Sequence, residues 1–355
     1  MDAQVFAPNR GRGIQVNSFA KLPPSERQPY FVEAAAPMKL PPELIEKDFW
    51  VCWTLQRLFN LPEVGPHLTF KGGTSLSKVY HLIDRFSEDI DITISRDFLG
   101  FGGENDPAKA PSKSKRKERL EALKQNCRHY IETKFKDALE REIAAHLLAD
   151  VPFRLRMDDK DPDHQTLLFA YPGCWQTNTG GYVESEVKIE LGARSDTWPN
   201  QQGAVMPYVA EQFPTAFSNP ECQVQVLAAE RTFWEKAALL HEENFRPHGK
   251  QLKPRLSRHY FDLFKLIEAG VADSAASSKG LFESVVDHRA IFFNYTWVKY
   301  GDFKRGSLQM VPRPGRFEEW KADYTKTQQM LFRPAPDFDA IIQKVREFQD
   351  KFNAG

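Results

Sequence analysis

Two aspartates, Asp89 and Asp91, have the spacing of a pair that could bind a cation. They alternate with isoleucines in the stretch DIDITI, residues 89–94. Because the side chains of a strand point alternately to its two faces, this pattern predicts a buried isoleucine face and a face that carries both carboxylates. Like charges this close repel, which favours a cation or water between them. Two carboxylates and substrate phosphates are the usual ligands of Mg²⁺, although such a strand more often simply faces solvent.

The sequence KGGTS, residues 71–75, precedes this strand and has the composition of a phosphate-binding turn. Glycine tolerates positive φ and close backbone approach, so Gly72 and Gly73 predict a turn, after which Thr74 or Ser75 can cap a helix. Apolar residues at helical spacing predict that this helix continues well beyond the turn: Leu76, Val79, Leu82, Ile83 and Phe86. The positive end of a helix suits a phosphate. Joined to a carboxylate pair, it indicates phosphoryl or nucleotidyl transfer, whereas Gly-Gly alone is usually only a turn.

The segments KGGTSLSKVY and RFSEDIDI together resemble the first signature of the AbiEii family of nucleotidyltransferase-like toxins, within the polymerase-β-type nucleotidyltransferase superfamily. The resemblance implies that the glycine turn holds the triphosphate of an NTP and that the aspartates hold Mg²⁺ or Mn²⁺. Carried onto this chain, the nucleotide-binding residues are Lys71, Gly72, Gly73, Thr74 and Ser75. The catalytic, metal-binding residues are Asp89 and Asp91.

A third carboxylate, Glu190, lies on the polar face of a predicted strand in the segment EVKIELG, residues 186–192. In the superfamily that this chain resembles, a later strand often completes the metal site, so the resemblance makes Glu190 a candidate metal ligand. A surface ion pair between Glu190 and Lys188 or Arg194 is the alternative.

Two helical segments supply the remaining candidates. ERTFWEKAALLH resembles the family's third motif, in which Lys236 would bind the nucleotide phosphates and stabilise the charge that develops on them. RHYFDL resembles the fourth motif, with Asp262 positioning that lysine or the acceptor. Because Arg258 and Asp262 are four residues apart, a helix salt bridge worth roughly 0.3 kcal/mol is the alternative.

Composition limits the class of protein. The 48 basic and 48 acidic residues give a formal net charge of zero, so nucleic acid would have to be bound by local patches. Four scattered cysteines without a CxxC pair argue against a disulfide framework or a zinc site and favour a reducing compartment. No apolar run approaches the length of a membrane span. We therefore expect a cytoplasmic protein without a membrane partner.

The pattern of elements predicts an α/β (α+β) fold: a nucleotidyltransferase-like mixed sheet with flanking helices and a mostly helical C-terminal region. The expected divisions are a flexible arm at residues 1–28, the sheet domain at residues 29–200 and a helical domain at residues 201–355 that contributes Lys236 and Asp262. Residues 195–222 are Pro-rich and predict an irregular connection. The basic cluster at residues 113–117 could contact RNA phosphates or simply begin a solvated helix. The basic and aromatic segment 299–316 could stack on nucleic acid or pack in a helical bundle.

The expected function is Mg²⁺-dependent transfer of a nucleoside monophosphate from an NTP to an acceptor. By family resemblance the acceptor is tRNA or another RNA, and the protein is the toxin of a type IV-like toxin–antitoxin or phage-defence system, restrained by a cognate antitoxin. Two alternatives stay open: transfer to a protein or a small molecule, and a non-catalytic NTP-binding interaction module.

Overall fold

A computed structural model describes residues 13–175, 185–247, 249–328, 331 and 334–355. These residues form a seven-stranded mixed sheet in the order β3-β4-β5-β2-β1-β7-β6. The strands are β1 Leu68–Lys71, β2 Ile90–Ile94, β3 Arg154–Met157, β4 Thr166–Ala170, β5 Glu186–Gly192, β6 Asn200–Val205 and β7 Cys222–Leu227. The strand β2 pairs antiparallel with β1 and parallel with β5, and β1 is parallel to β7. The predicted α/β fold with a mixed sheet is confirmed.

The register of the central strands brings the predicted site residues side by side. Asp91 on β2 lies opposite Lys71 on β1 and opposite Glu190 on β5. The predicted isoleucine face of β2 is buried, since Ile90, Ile92 and Ile94 are at most 1% exposed, and Thr93 on the opposite face is fully buried as well. Three adjacent strands thus present charged side chains at one place on the sheet.

Two hydrophobic cores divide the molecule. The first lies between the sheet and the helices α1 Val16–Ala20, α2 Pro24–Met38, α3 Pro42–Phe59, α5 Lys113–Tyr130, α6 Lys136–His146 and α7 Tyr208–Gln212, with α5 and α6 joined by a π-helical turn. The second lies among the C-terminal helices α8 Ala229–Asn244, α9 Arg258–Glu268, α10 Val271–Ser277, α11 Leu281–Phe292, α12 Phe317–Thr327 and α13 Phe338–Ala354. No helix in the described part of the chain has the length and apolar composition that crossing a bilayer requires.

The prediction of a flexible N-terminal arm is wrong for the part of residues 1–28 that the structure describes. Val16–Ala20 is helical, Phe19 is fully buried, and its ring packs edge-on against Phe49 at 5.1 Å. Arg27 is buried with its guanidinium 5.0 Å from the ring centroid of Trp50. The polar composition of this segment hides a few aromatic and cationic contacts that attach it to the sheet domain. Residues 1–12 lie outside the described residues.

The predicted irregular connection at residues 195–222 is also corrected. Strand β6 begins at Asn200 and pairs along its length with β7, so the sheet continues to Leu227. A domain boundary at residue 200 would therefore cut through the sheet, and the change from one core to the other falls at Ala228. The polar sequence NQQGAV gives no strand alternation because β6 is an edge strand with one exposed face.

The helix α4 that follows the glycine turn is shorter than its apolar spacing predicts. It spans Gly72–Lys78, and the chain from Val79 to Asp89 is irregular. Leu76 and Ile83 are buried in the second core rather than along one helix face. The predicted apolar stripe is therefore divided between the two cores, with Val79 packed against the first, and does not follow one helix.

The structure favours the alternative to nucleic-acid contact in both segments for which such contact was considered. Lys113 begins α5, and Lys115 pairs with Glu118 at 2.8 Å, as in a solvated helix start. In the segment 299–316, Phe303 is buried, and Tyr300 donates a hydrogen bond to Glu242 at 2.8 Å. Packing within the protein thus accounts for the segment 299–316, whereas residues 113–117 form an exposed helix start.

Candidate active site at the sheet and helical domain junction

A cavity of about 250 Å³ opens where the ends of β1, β2 and β5 meet the helices α8, α9 and α11. The sheet side contributes backbone and acidic groups, and the helical side contributes mainly basic and aromatic groups. The residues that line it are Lys71, Gly72, Gly73, Arg85, Ser87, Asp89, Asp91, Glu190, Ser195, Thr232, Glu235, Lys236, Leu239, Arg258, His259, His288, Arg289 and Phe293. A mixture of acidic and basic walls is suited to a metal–triphosphate ligand.

The glycine turn is in contact with the carboxylate pair. Gly72 has a φ of +82°, and a Cβ built on it would lie 2.0 Å from Oδ2 of Asp91. A Cβ on Gly73 would lie 2.6 Å from Nη2 of Arg85. Both positions therefore exclude larger side chains, the first by conformation and by space. The turn that could receive a phosphate and the strand that could hold a cation are one packed unit.

The hydroxyl groups of Thr74 and Ser75 hold this turn together. Thr74 Oγ1 donates to the carbonyl oxygen of Asp89 at 2.5 Å, and Ser75 Oγ donates to the carbonyl oxygen of Gly72 at 2.9 Å. Both residues are fully buried and neither lines the cavity. Neither hydroxyl caps the helix as predicted, because α4 begins at Gly72. The structure thus brings Lys71, Gly72 and Gly73 to the cavity and places Thr74 and Ser75 behind them.

The three predicted carboxylates converge on the cavity. Burial raises the pKa of Asp91 to about 6, and the pKa of Asp89 is also raised by burial and by Glu190. Burial opposes ionisation of Glu190 too, but the ammonium of Lys188 outweighs it and lowers the pKa of that carboxyl. Among the described residues, neither Asp89 nor Asp91 has a basic side chain within ion-pair distance. The site thus holds negative charge that its own residues only partly compensate.

Glu190 lies opposite Asp91 on the neighbouring strand, and after burial its charge is a further cause of the raised pKa of Asp91. A positive charge between these neighbouring carboxylates would relieve their repulsion, so the donor set suits a cation. Within the described ranges, no group of three or more His, Cys, Asp or Glu side chains has the arrangement of a metal site. Mg²⁺ needs no such cage, because it is commonly held by one or two carboxylates together with water and phosphate oxygens. Asp89 and Asp91 fit that role. Glu190 is paired with Lys188, as the alternative for this residue anticipated, yet it still faces the cavity.

The opposite wall carries a buried charge cluster of Arg85, Lys236 and Asp262. Asp262 accepts hydrogen bonds from Nε and Nη2 of Arg85 at 2.7 and 2.9 Å, and Lys236 Nζ lies 2.8 Å from its Oδ2. The side chain of Asp262 is fully buried, and those of the two cations are 2% and 8% exposed. The two cations hold the pKa of Asp262 well below its usual range, despite burial. Asp262 is therefore the ion-pair partner of Arg85 and Lys236, and the structure shows no helix salt bridge between the described residues Arg258 and Asp262.

Two side chains beside this cluster, His259 and Arg258, complete the wall. Burial and the charge of Lys236 lower the pKa of His259 well below its usual range, so its imidazole is neutral, with Nδ1 3.4 Å from Lys236 Nζ. Arg258 faces the cavity from α9, and burial lowers the pKa of Lys236. Two guanidinium groups and an ammonium thus line the same cavity as the carboxylates.

The sequence reasoning missed Arg85, His259 and the residues that α11 brings to the cavity. Arg85 stands four residues before Asp89 in the quoted segment RFSEDIDI, so its position was visible although its partner was not. His288 and Phe293 lie in a segment without a recognisable motif, and only the packing of α11 against α8 brings them to the site.

A mixed sheet that carries a glycine turn and strand carboxylates, closed by a helical domain that supplies cations, defines a nucleotidyltransferase-like protein. Residues 53–350 match the family described as "Nucleotidyl transferase AbiEii toxin, Type IV TA system". The chain belongs to this family of nucleotidyltransferase toxins of type IV toxin–antitoxin systems, which confirms the predicted membership and enzyme class. A similar solved structure is MenT4, a nucleotidyltransferase toxin from Mycobacterium tuberculosis H37Rv, at 16% identity and a TM-score of 0.30, with 91% of this chain and 98% of that chain covered. No curated protein matches the sequence.

Proposed function

We propose that this toxin transfers a nucleoside monophosphate from an NTP to the 3′ hydroxyl of an RNA of tRNA size and releases pyrophosphate. The observation that carries the proposal is the contact between Gly72 and Asp91. It joins a backbone phosphate site to a carboxylate pair within one short unit. Cations on the far wall complete the requirements of phosphoryl chemistry, which depends mainly on positioning and charge stabilisation.

Each residue has a role in this proposal. Asp89 and Asp91 would hold Mg²⁺ or Mn²⁺, with Glu190 beside them, and the metal would supply Lewis-acid stabilisation of the phosphate oxygens. Lys71 and the amides of the glycine turn bind the triphosphate. Lys236 faces the charge that develops on the leaving pyrophosphate, held in place by Asp262.

A second groove supports an extended acceptor. It has a volume of about 430 Å³, adjoins the first cavity at Asp89 and is lined in part by Lys47, Arg156, Lys160, Lys188 and Arg255. Among the described residues, Lys160 and Arg255 have no ion-pair partner. Carboxylates also line the groove, so its net charge is small. Phosphate groups of an RNA end could bind these basic side chains while the terminal hydroxyl reaches Asp89.

Label transfer tests the proposal. Purified protein, Mg²⁺ and total RNA are incubated with each α-labelled NTP in turn, and products are separated on a denaturing gel. We expect a labelled band of tRNA size with the wild type and with the surface control Asp273→Ala, and none with Asp89→Ala. The last variant should unfold cooperatively like the wild type, because it removes a carboxylate whose pKa burial already raises.

The other outcomes of the same experiment identify the alternatives. Label in protein or in a small product would redirect the acceptor assignment. Magnesium-dependent NTP binding without pyrophosphate release, for any acceptor, would instead indicate a non-catalytic module. Loss of cooperative unfolding in Asp89→Ala would make that residue structural and refute the proposed site.

The family implies a cognate antitoxin, and we propose that it restrains this activity in the cytoplasm. The cysteines Cys52, Cys127, Cys174 and Cys222 are all free, which supports a reducing compartment. Growth and phage plating with the wild type or Asp89→Ala, each with and without the antitoxin, test this role. Toxicity or phage protection that survives in Asp89→Ala would separate the biological effect from transfer.

A further inference from the structure

Two buried polar groups in the cavity have no hydrogen-bond partner among the described residues. They are Oγ1 of Thr232 on α8 and Nε2 of His288 on α11. Thr232 is 3% exposed and His288 is 9% exposed, so neither residue is generally solvated. Leaving a buried polar group without a partner is costly, and native proteins rarely do so without a reason. Both groups lie on the same cavity, so a bound ligand is the partner that would satisfy them.

The Thr232 hydroxyl lies on the same helix as Lys236 but apart from the proposed phosphate site. Thr232, Lys236 and Leu239 follow one another at spacings of four and three residues, so they lie along one helix face. Lys236 belongs to the charge cluster with Asp262, and Thr232 is one turn nearer the N-terminus. The proposed triphosphate site and the two unsatisfied groups, Thr232 Oγ1 and His288 Nε2, therefore lie in different parts of the same cavity.

The surroundings of the orphan pair suit an uncharged heterocycle rather than a phosphate. Phe293 lines the cavity beside His288, with the two ring centroids 6.1 Å apart. The ring of His288 stacks on Phe292 at 4.6 Å, and burial lowers the pKa of its imidazole to about 3, so it is neutral. The cation nearest to Thr232 along the helix, Arg231, is already paired with Asp196 at 3.2 Å. A neutral imidazole and a hydroxyl can each donate or accept a hydrogen bond.

We propose that this part of the cavity receives the nucleobase of the NTP, with Thr232 Oγ1 and His288 Nε2 hydrogen-bonding to the edge of the base and Phe293 contacting its face. The inference rests on the proposed function, because it assumes that the triphosphate lies at the glycine turn. It assigns base selectivity to the junction of α8 and α11, outside every motif of the sheet domain. A site that must satisfy buried polar groups rejects a ligand that leaves them unpaired.

The substitution Thr232→Val gives a test with two opposed readouts. It keeps the side-chain shape and removes a hydroxyl that has no partner in the unliganded protein. We expect a higher unfolding midpoint without ligand, because a buried unsatisfied group is removed. We also expect about fivefold weaker binding of the preferred NTP, the value of one neutral hydrogen bond. A purely structural threonine would not give both effects.

The experiment measures binding with Mg²⁺ by calorimetry for ATP, GTP, CTP, UTP and inorganic tripolyphosphate. The proteins are the wild type, Thr232→Val, His288→Phe and the control Thr325→Val, a threonine exposed on α12. We expect both cavity variants to lose affinity for the preferred NTP, to discriminate less among the four bases and to bind tripolyphosphate as the wild type does.

The base-free ligand separates the two ways to fail. Unchanged NTP affinity in both cavity variants, or an equal loss for all four NTPs and tripolyphosphate, would overturn the base assignment and leave the proposed transfer intact. If the wild type bound neither tripolyphosphate nor any NTP, the nucleotide site itself would be wrong, and the proposed function would fall with it.

Discussion

Asp262→Asn should destabilise this protein far more than the loss of one exposed carboxylate. The native carboxylate is fully buried and serves two cations, Arg85 at 2.7 and 2.9 Å and Lys236 at 2.8 Å. Removing one partner from a buried ion pair leaves uncompensated charge and typically costs about 3–5 kcal/mol. Because two buried cations lose their partner in Asp262→Asn, we expect the free energy of unfolding to fall by about 5 kcal/mol. The exposed pair of Asp273 with Lys351 gives the matched control, for which Asp273→Asn should change stability by about 0–1 kcal/mol.

A second substitution shows whether the uncompensated charge is the cause. Lys236→Met removes one cation while Asp262 keeps both hydrogen bonds from Arg85. We therefore expect the double variant Lys236→Met with Asp262→Asn to have a higher free energy of unfolding than Asp262→Asn alone. The coupling energy between the two substitutions should be about 1–3 kcal/mol. Transfer activity should be lost in all three proteins that lack either side chain. Only the double variant should regain stability without regaining activity.

The assay is urea unfolding followed by the fluorescence of the seven tryptophans, with the slope of the transition compared between variants. The pH dependence supplies a further check, because the pKa of Asp262 is depressed in the folded protein. Its stabilisation is fully present above the unfolded pKa near 4 and is lost as the pH falls below it. The difference in the free energy of unfolding between the wild type and Asp262→Asn should accordingly become smaller below about pH 4. A loss below about 1 kcal/mol at neutral pH, or no coupling with Lys236→Met, would refute the buried-cluster reasoning.

Two other predictions follow from the site. Gly72→Ala should abolish transfer and destabilise the fold by more than the control Gly100→Ala. Both glycines have a φ of +82°, so the backbone strain of about 1–2 kcal/mol is common to them, but an added Cβ meets Asp91 at Gly72 and no atom within 4 Å at Gly100. Equal melting and equal label transfer for the two variants would contradict the contact. Since burial lowers the pKa of His288 to about 3, the unfolded chain binds the proton more tightly, and wild-type stability should fall as the pH drops from about 6.5 towards 3. His288→Phe should lose this part of the slope in urea unfolding measured at each pH, and an unchanged slope would show a protonated or solvated imidazole.

The sequence predicted the parts of the site that depend on local pattern. Alternation along residues 89–94 fixed the face on which Asp89 and Asp91 lie, because a strand has a two-residue period whatever it pairs with. The glycine pair predicted a conformation that Gly72 does adopt, with positive φ. For Glu190, the spacing along the strand predicted an ion pair with Lys188, and the family resemblance predicted a place in the site. The residue pairs with Lys188 and also faces the cavity.

Features that depend on distant packing could not be predicted in this way. Arg85 and Asp262 are 177 residues apart, and their pairing exists only because α9 packs beside the irregular segment after α4. Spacing alone offered Arg258 as the partner of Asp262, and spacing was wrong. The same limit explains strand β6, whose polar sequence becomes a strand only because β7 offers it an edge.

The residues that make this site useful are those that weaken the unliganded fold. Asp89 and Asp91 are partly buried carboxylates without a basic ion-pair partner among the described residues, and the Thr232 hydroxyl is buried without a hydrogen bond. A bound metal–nucleotide would relieve these costs together. A cation would lie between the carboxylates, the phosphates would contact Lys236, and the base would hydrogen-bond to the Thr232 hydroxyl. Ligand binding should therefore stabilise the protein by more than its contact area indicates, since it adds interactions and removes existing penalties. The Asp262 cluster is the opposite case, because its charges already satisfy one another and hold Lys236 in place before any ligand arrives.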